Sequence, residues 1–97
     1  MIKLTLSNAL ANMLPADDAA QSRGRRTFTI EADNWPETVE QINRRFQQLA
    51  SHVFDEGGQL RSGLLVAIND EVYSRRHGAP PVEAGDEVYL FTQIAGG

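Results

Sequence analysis

The sequence contains no cysteine. Disulfide bonds and thiolate metal sites are therefore excluded. No run of side chains approaches the roughly 18 consecutive apolar residues that a membrane span needs. The opening Met1-Ile2-Lys3-Leu4 has no charged leader followed by an apolar block and a cleavage site, so no signal peptide is expected. These absences point to the cytoplasm. An excess of positive charge is missing too, since the net charge is −4 at pH 7. Proteins that bind nucleic acids normally carry a clustered basic surface, so no nucleic-acid role is expected. A mildly acidic balance suits solubility and a basic protein partner. His52 and His77 stand far apart, with no acidic or Cys partner at ligand spacing, and no metal is expected. There is no P-loop motif, internal repeat or low-complexity segment. A chain of 97 residues makes one domain around one core.

What is present is a series of short periodic segments. Ile2, Leu4 and Leu6 alternate with Lys3, Thr5 and Ser7, the period of a half-buried strand. A short helical turn is expected over 9–13 and a long exposed loop over 15–26, where Asp, Ala, Ser, Gly and Arg carry no apolar pattern. Alternation returns with Phe28 and Ile30 against Thr27 and Thr29, a second strand and hairpin partner of the first. Asn34 then caps a helix, with Pro36 in its first turn and Glu37 three residues on, as in a capping box. Such a cap contributes about 1 kcal/mol. Val39, Ile42, Phe46 and Leu49 follow at spacings of three, four and three, one stripe of a single amphipathic helix over about 35–50.

Further on, Gly57-Gly58 ends whatever precedes it, and Val53, Phe54 and Leu60 suggest partial burial. Residues 64–68 form an apolar strand with Val66 and Ile68 inward. Asn69-Asp70-Glu71 turns, Val72-Tyr73 makes a short strand, and Pro80-Pro81 forbids regular structure. The last strand is Glu87-Val88-Tyr89-Leu90-Phe91. One main helix crossing a mixed sheet of four to five strands is an α+β fold of the β-grasp type, because a helix placed after a hairpin must cross over the sheet. The expected core is Ile2, Leu4, Leu6, Phe28, Ile30, Val39, Ile42, Phe46, Leu49, Val66, Ile68, Val88 and Leu90. Trp35 is expected to staple the helix start.

The sequence ends in Gly96-Gly97. A domain over 1–91 followed by a flexible tail over 92–97 puts the terminal carboxylate within reach of sites roughly 20 Å from the sheet, at ~3.3–3.6 Å per extended residue. Two residues without side chains can thread a narrow channel. The carboxylate, with a reference pKa of about 3.3–3.7, is ionised and unreactive toward nucleophiles at neutral pH. Attack on the α-phosphate of ATP would activate it as an acyl-adenylate. Magnesium and cations must stabilise that transfer, and this sequence shows no machinery for it. The chain therefore reads as a carrier acted on by an enzyme, and not as an enzyme.

Gly85 to Phe91 followed by Ile94-Ala95-Gly96-Gly97 resembles the C-terminus of the MoaD/ThiS family of ubiquitin-like sulfur carriers. Val66-Ala67-Ile68-Asn69-Asp70-Glu71 resembles the strand and turn of that family, and Met1 to Leu6 its opening strand. The resemblance implies that a ubiquitin-activating-enzyme-like adenylyltransferase uses Mg-ATP to adenylate Gly97, with Gly96 giving access. A sulfur donor such as a cysteine desulfurase or rhodanese then supplies persulfide sulfur. The resulting thiocarboxylate serves a sulfur-accepting synthase subunit in molybdopterin or cysteine biosynthesis. The carrier itself binds no cofactor. Having no cysteine, it has no internal thiol to intercept the activated end.

The resemblance also implies an apolar docking surface beside the tail. Phe91 and Val72 match its positions, and Ile94 and Ala95 extend it. Phe91 has a second reading, as a core residue under 51–63. Ser7 departs from the apolar or aromatic residue that many members place there. Two other functions fit the residues: a ubiquitin-like modifier joined to lysines through Gly97, and a TGS-like β-grasp binding module to which the tail is irrelevant.

Overall fold

The computed structural model describes residues 1–14 and 27–92. Five strands form one mixed sheet in the order β2-β1-β5-β3-β4. They are β1 (Ile2–Leu6), β2 (Thr27–Ile30), β3 (Leu64–Ile68), β4 (Glu71–Ser74) and β5 (Glu87–Thr92). Alternation sets the register, since slipping one residue would turn every apolar side chain outward. Ile2 pairs with Ile30 and Leu4 with Phe28, antiparallel. Leu4 also pairs with Val88 and Leu6 with Leu90, parallel. Val66 meets Leu90 and Ile68 meets Val88, antiparallel. The parallel pair is therefore β1 and β5 at the centre. β3 runs in the direction of β2 without pairing with it. Asn69 and Asp70 join β3 to β4 with φ of 49° and 78°, the left-handed geometry a tight hairpin requires and these two residue types tolerate. With helices packed on one face, this is the β-grasp fold. β5 runs to Thr92, which pairs with Leu64, one residue past the boundary drawn from the sequence.

The helices are α1 (Asn8–Ala11), α2 (Trp35–Arg45) and α3 (Gln47–Val53). Asn34 Oδ1 accepts the Glu37 N–H at 2.9 Å. The Glu37 carboxylate reaches one residue further back than a capping box would place it, accepting the Asp33 N–H at 2.8 Å. The single helix expected over 35–50 is divided at Phe46, whose φ of −134° and ψ of 70° are not helical. The sixteen residues of an unbroken helix would extend ~24 Å in one direction. A chain turned at Phe46 lays Leu49, Ala50 and Val53 back onto the core instead. The Phe46 ring packs 5.1 Å from Phe28, and the Arg45 guanidinium covers it at 5.0 Å.

Every expected core side chain is buried. Leu10, Leu14, Trp35, Val53, Phe54, Leu60, Leu64 and Val82 join them. Trp35 meets Phe54 edge-on at 5.6 Å, so it does hold the helix start. The segment after α3 is anchored by a bridge between Phe54 and Leu60 and by a turn around Asp55. That carboxylate accepts the N–H groups of Gln59 at 3.0 Å and Gly57 at 2.8 Å, and the Arg75 guanidinium at 2.9 Å. Gly58 takes φ +80° there, a conformation that favours glycine.

The Gln59 bond foremost, joined by Arg75 and Gly57, holds the Asp55 carboxyl below its ordinary 3.8, against burial, the second-largest effect, which pushes it up. Because the folded value is depressed, the stabilisation is present above the unfolded value and is lost as pH falls through the folded one. Thermal melts from pH 7 to pH 3 should show the wild type losing stability below about pH 4 more steeply than Asp55→Asn. The variant should be the less stable of the two at pH 7. Parallel curves would refute this role.

Candidate functional site

β5 presents two faces. Val88 and Leu90 point into the core, while Tyr89 and Phe91 point away from it. The register places Thr5, Tyr89, Ala67 and Val72 in one row across four strands. Phe91, Leu65 and Ser74 form the adjoining row. The result is an apolar band on the face opposite the helices. Val72 is 54% exposed and Tyr89 40%, and Phe91, Leu65 and Ala67 are half-buried. The Tyr89 and Phe91 rings stack with centroids 5.0 Å apart and planes within 17°. A shallow hollow of about 450 Å³ adjoins them, lined by Lys3, Thr5, Ala67, Glu87 and Tyr89 among others.

Phe91 thus lies on the outer face and does not sit under 51–63, which sends Phe54 and Leu60 to the core instead. Val72 lies on the same face two strands away, about 10 Å at ordinary strand spacing. The sequence reading singled out neither Tyr89 nor Leu65. Alternation with Val88 and Leu90 would have found Tyr89. Leu65 was obscured by the uninterrupted apolar run of β3. Ser7 has a local reason to be polar: its Oγ accepts the Leu10 N–H at 3.4 Å and caps α1. Gly96, Gly97, Ile94 and Ala95 lie outside the described residues, as does the stretch 15–26 where a loop is expected. The described chain stops at Thr92, on the strand that leads to them.

His77 and Tyr73 are engaged in local structure. His77 Nδ1 accepts the Ser74 N–H at 3.0 Å and lies 3.2 Å from Ser74 Oγ, which makes the pair a turn cap. Tyr73 donates to Glu71 at 2.7 Å, and that bond raises its phenol above the ordinary range. Among the described residues, no group of three His, Cys, Asp or Glu is placed to hold a metal ion. No helix among them is long and apolar enough to cross a membrane.

The model of the ThiS family matches residues 25–97. Among solved structures, SAMP1 from Haloferax volcanii is 24% identical, with 99% of this chain and 98% of that one covered at a TM-score of 0.66. A chain of the Amycolatopsis orientalis BexX/CysO complex is 18% identical, with both chains covered completely at 0.65. Mycobacterium tuberculosis CysO is 15% identical, with 97% and 100% covered, also at 0.65. A search of curated proteins gave no match. At these identities the structural likeness speaks for the fold. The family match speaks for descent, because it spans β2, α2, α3 and β3 to β5 and continues through Gly97: this chain belongs to the ThiS family.

Proposed function

We propose that this protein is a sulfur carrier whose reactive group is the Gly97 carboxylate, with the domain ending near Phe91 and a flexible tail beyond it. The family match that runs through Gly96-Gly97 carries this reading. The apolar band beside the exit of β5 supports it. One carboxylate oxygen attacks the α-phosphate of ATP and pyrophosphate leaves, giving an acyl-adenylate. A persulfide on a sulfur donor such as a cysteine desulfurase or rhodanese displaces AMP. A second thiol then attacks the sulfur–sulfur bond, forming a disulfide on the donor and releasing the Gly97 thiocarboxylate. A ubiquitin-activating-enzyme-like adenylyltransferase supplies Mg-ATP and the cationic groups for the phosphoryl step. The carrier contributes a narrow, ionised acyl end and a docking face, and has no catalysis of its own. The thiocarboxylate would feed a synthase subunit in molybdopterin or cysteine biosynthesis, in the cytoplasm.

Intact-mass measurement after incubation with the adenylyltransferase of the same genome, Mg-ATP and a persulfide donor should show oxygen replaced by sulfur. An unchanged mass would refute the proposal. Phe91, Val72, Ile94 and Ala95 form the partner-binding set. Phe91→Asp should raise the KM of the adenylyltransferase or of the acceptor by roughly tenfold or more, as expected when an apolar anchor meets a desolvated pocket. Its melting temperature should stay close to wild type, since Phe91 is outside the core. Unaltered KM values for both enzymes would exclude this face from docking.

A second reading shares the chemistry up to the adenylate. The fold relative from Haloferax volcanii is called a small archaeal modifier protein, and transfer of Gly97 to lysines would make this chain a modifier as well. A ladder of higher-mass conjugates in cell extract, absent when Gly97 is removed, would establish that role.

A further inference from the structure

Among the described residues, charged side chains around the sheet are sorted along the strand direction. Where β5 begins, Asp70, Glu71, Glu83, Asp86 and Glu87 gather. Asp86 holds this end together, accepting from the Asn69 side-chain amide at 3.0 Å and from the Glu83 N–H at 2.8 Å. Among the described residues, Lys3 answers these carboxylates, 3.9 Å from Glu87. Where β5 finishes, the described charges are Arg61, Arg75 and Arg76 against Asp55 and Glu56. Ser74 is level with Phe91 across Leu65, so the following turn, Arg75–His77, stands beside the strand's exit. Arg61 is close by: its carbonyl accepts the Leu64 N–H at 3.1 Å, and Leu64 pairs with Thr92. Arg75 is engaged by Asp55 at 2.9 Å, with Glu56 the next residue along. The Arg61 Nε donates to the Ser51 carbonyl at 3.1 Å. Arg76 is exposed and has no side-chain partner among the described residues.

We infer that Arg76, backed by Arg61, docks on an acidic rim around the channel that receives the tail in the activating enzyme. This rests on the reading of Gly97 as the acyl end. A protein of net charge −4 would be repelled by such a rim if its charges were spread evenly. Here the two ends of the sheet are ~17–20 Å apart, about twice the Debye length of ~8 Å at physiological salt. Each end is therefore sensed separately, and the carrier is turned tail-first on approach. Charge complementarity of this kind acts mainly on encounter rate and orientation.

The test is ATP–pyrophosphate exchange by the adenylyltransferase of the same genome, with the full chain as substrate. Arg76→Glu should lower kcat/KM roughly tenfold at low salt with kcat unchanged, and Arg76→Ala should fall in between. The deficit should close near 1 M salt, where the Debye length is ~3 Å. Glu71→Lys, at the far end, should stay within about twofold of wild type at physiological salt. The inference is overturned if Arg76→Glu matches or exceeds wild type at low salt, or if its deficit persists at high salt. Absence of exchange with the wild type would instead sink the reading of Gly97, and this inference with it.

Discussion

A chain shortened by Gly97 alone should lose adenylation by a factor on the order of 10² or more. The shortened chain still ends in a glycine carboxylate, now that of Gly96, so the chemistry of the nucleophile is unchanged. Only its position differs, by the ~3.3–3.6 Å that one extended residue spans. In-line attack on phosphorus needs the reacting atoms at contact distance, and a displacement of even ~1 Å can cost 10²-fold. Under the proposed docking through Phe91 and Val72, the start of the tail is held in place and the missing residue cannot be made up by sliding the whole molecule. Pyrophosphate exchange measures the loss directly. The melting temperature should not change, since the described pairing of β5 runs to Thr92, five residues before Gly97. Equal exchange by the shortened and intact chains would show that the tail is not the working part.

Phe46→Ala should be the most destabilising of the simple core truncations, by about 3–5 kcal/mol. Phe46 is 2% exposed, packs on Phe28, lies under Arg45 and stands at the break between α2 and α3. Its removal opens a cavity and also releases the pivot that turns α3 onto the core. At roughly 4–8 °C per kcal/mol for a domain of this size, the melting temperature should drop by at least ~12 °C. Domains of this kind have only about 5–15 kcal/mol in total, so a substantial unfolded fraction is expected at 37 °C. Phe46→Leu should recover much of the loss. A cost below ~1 kcal/mol for the alanine variant would mean that Phe46 is not the pivot.

The helix break shows where local pattern stops informing. The stripe Val39, Ile42, Phe46, Leu49 is what a straight helix would carry, and no Gly or Pro interrupts it. α2 nevertheless ends at Phe46, and the chain beyond it buries Leu49, Ala50 and Val53 from a new direction, a tertiary contact the local stripe does not show. Phe54 and Leu60 are similar. Nothing periodic marks them, and their burial depends on the Asp55 turn meeting Arg75 from a segment twenty residues away. The charge sorting is invisible in the linear order, because Glu71 and Arg76 are near neighbours in sequence and lie toward opposite ends of β4.

Phe91 shows the division most clearly. The alternation in Glu87 to Thr92 fixes that Phe91 faces opposite to Leu90, because the side-chain period of a strand leaves no choice. Which of those two faces would be covered was settled by the placement of α2 and α3, which bury Leu90 and leave Phe91 stacked on Tyr89 in the open. The residues alone determined the strands, the capped helix start, the expected core and the fold class, since each rests on short-range periodicity and backbone chemistry. Tertiary packing decided where the helix turns, which sheet face stays open and which charges share an end, because those depend on contacts between segments far apart in the chain.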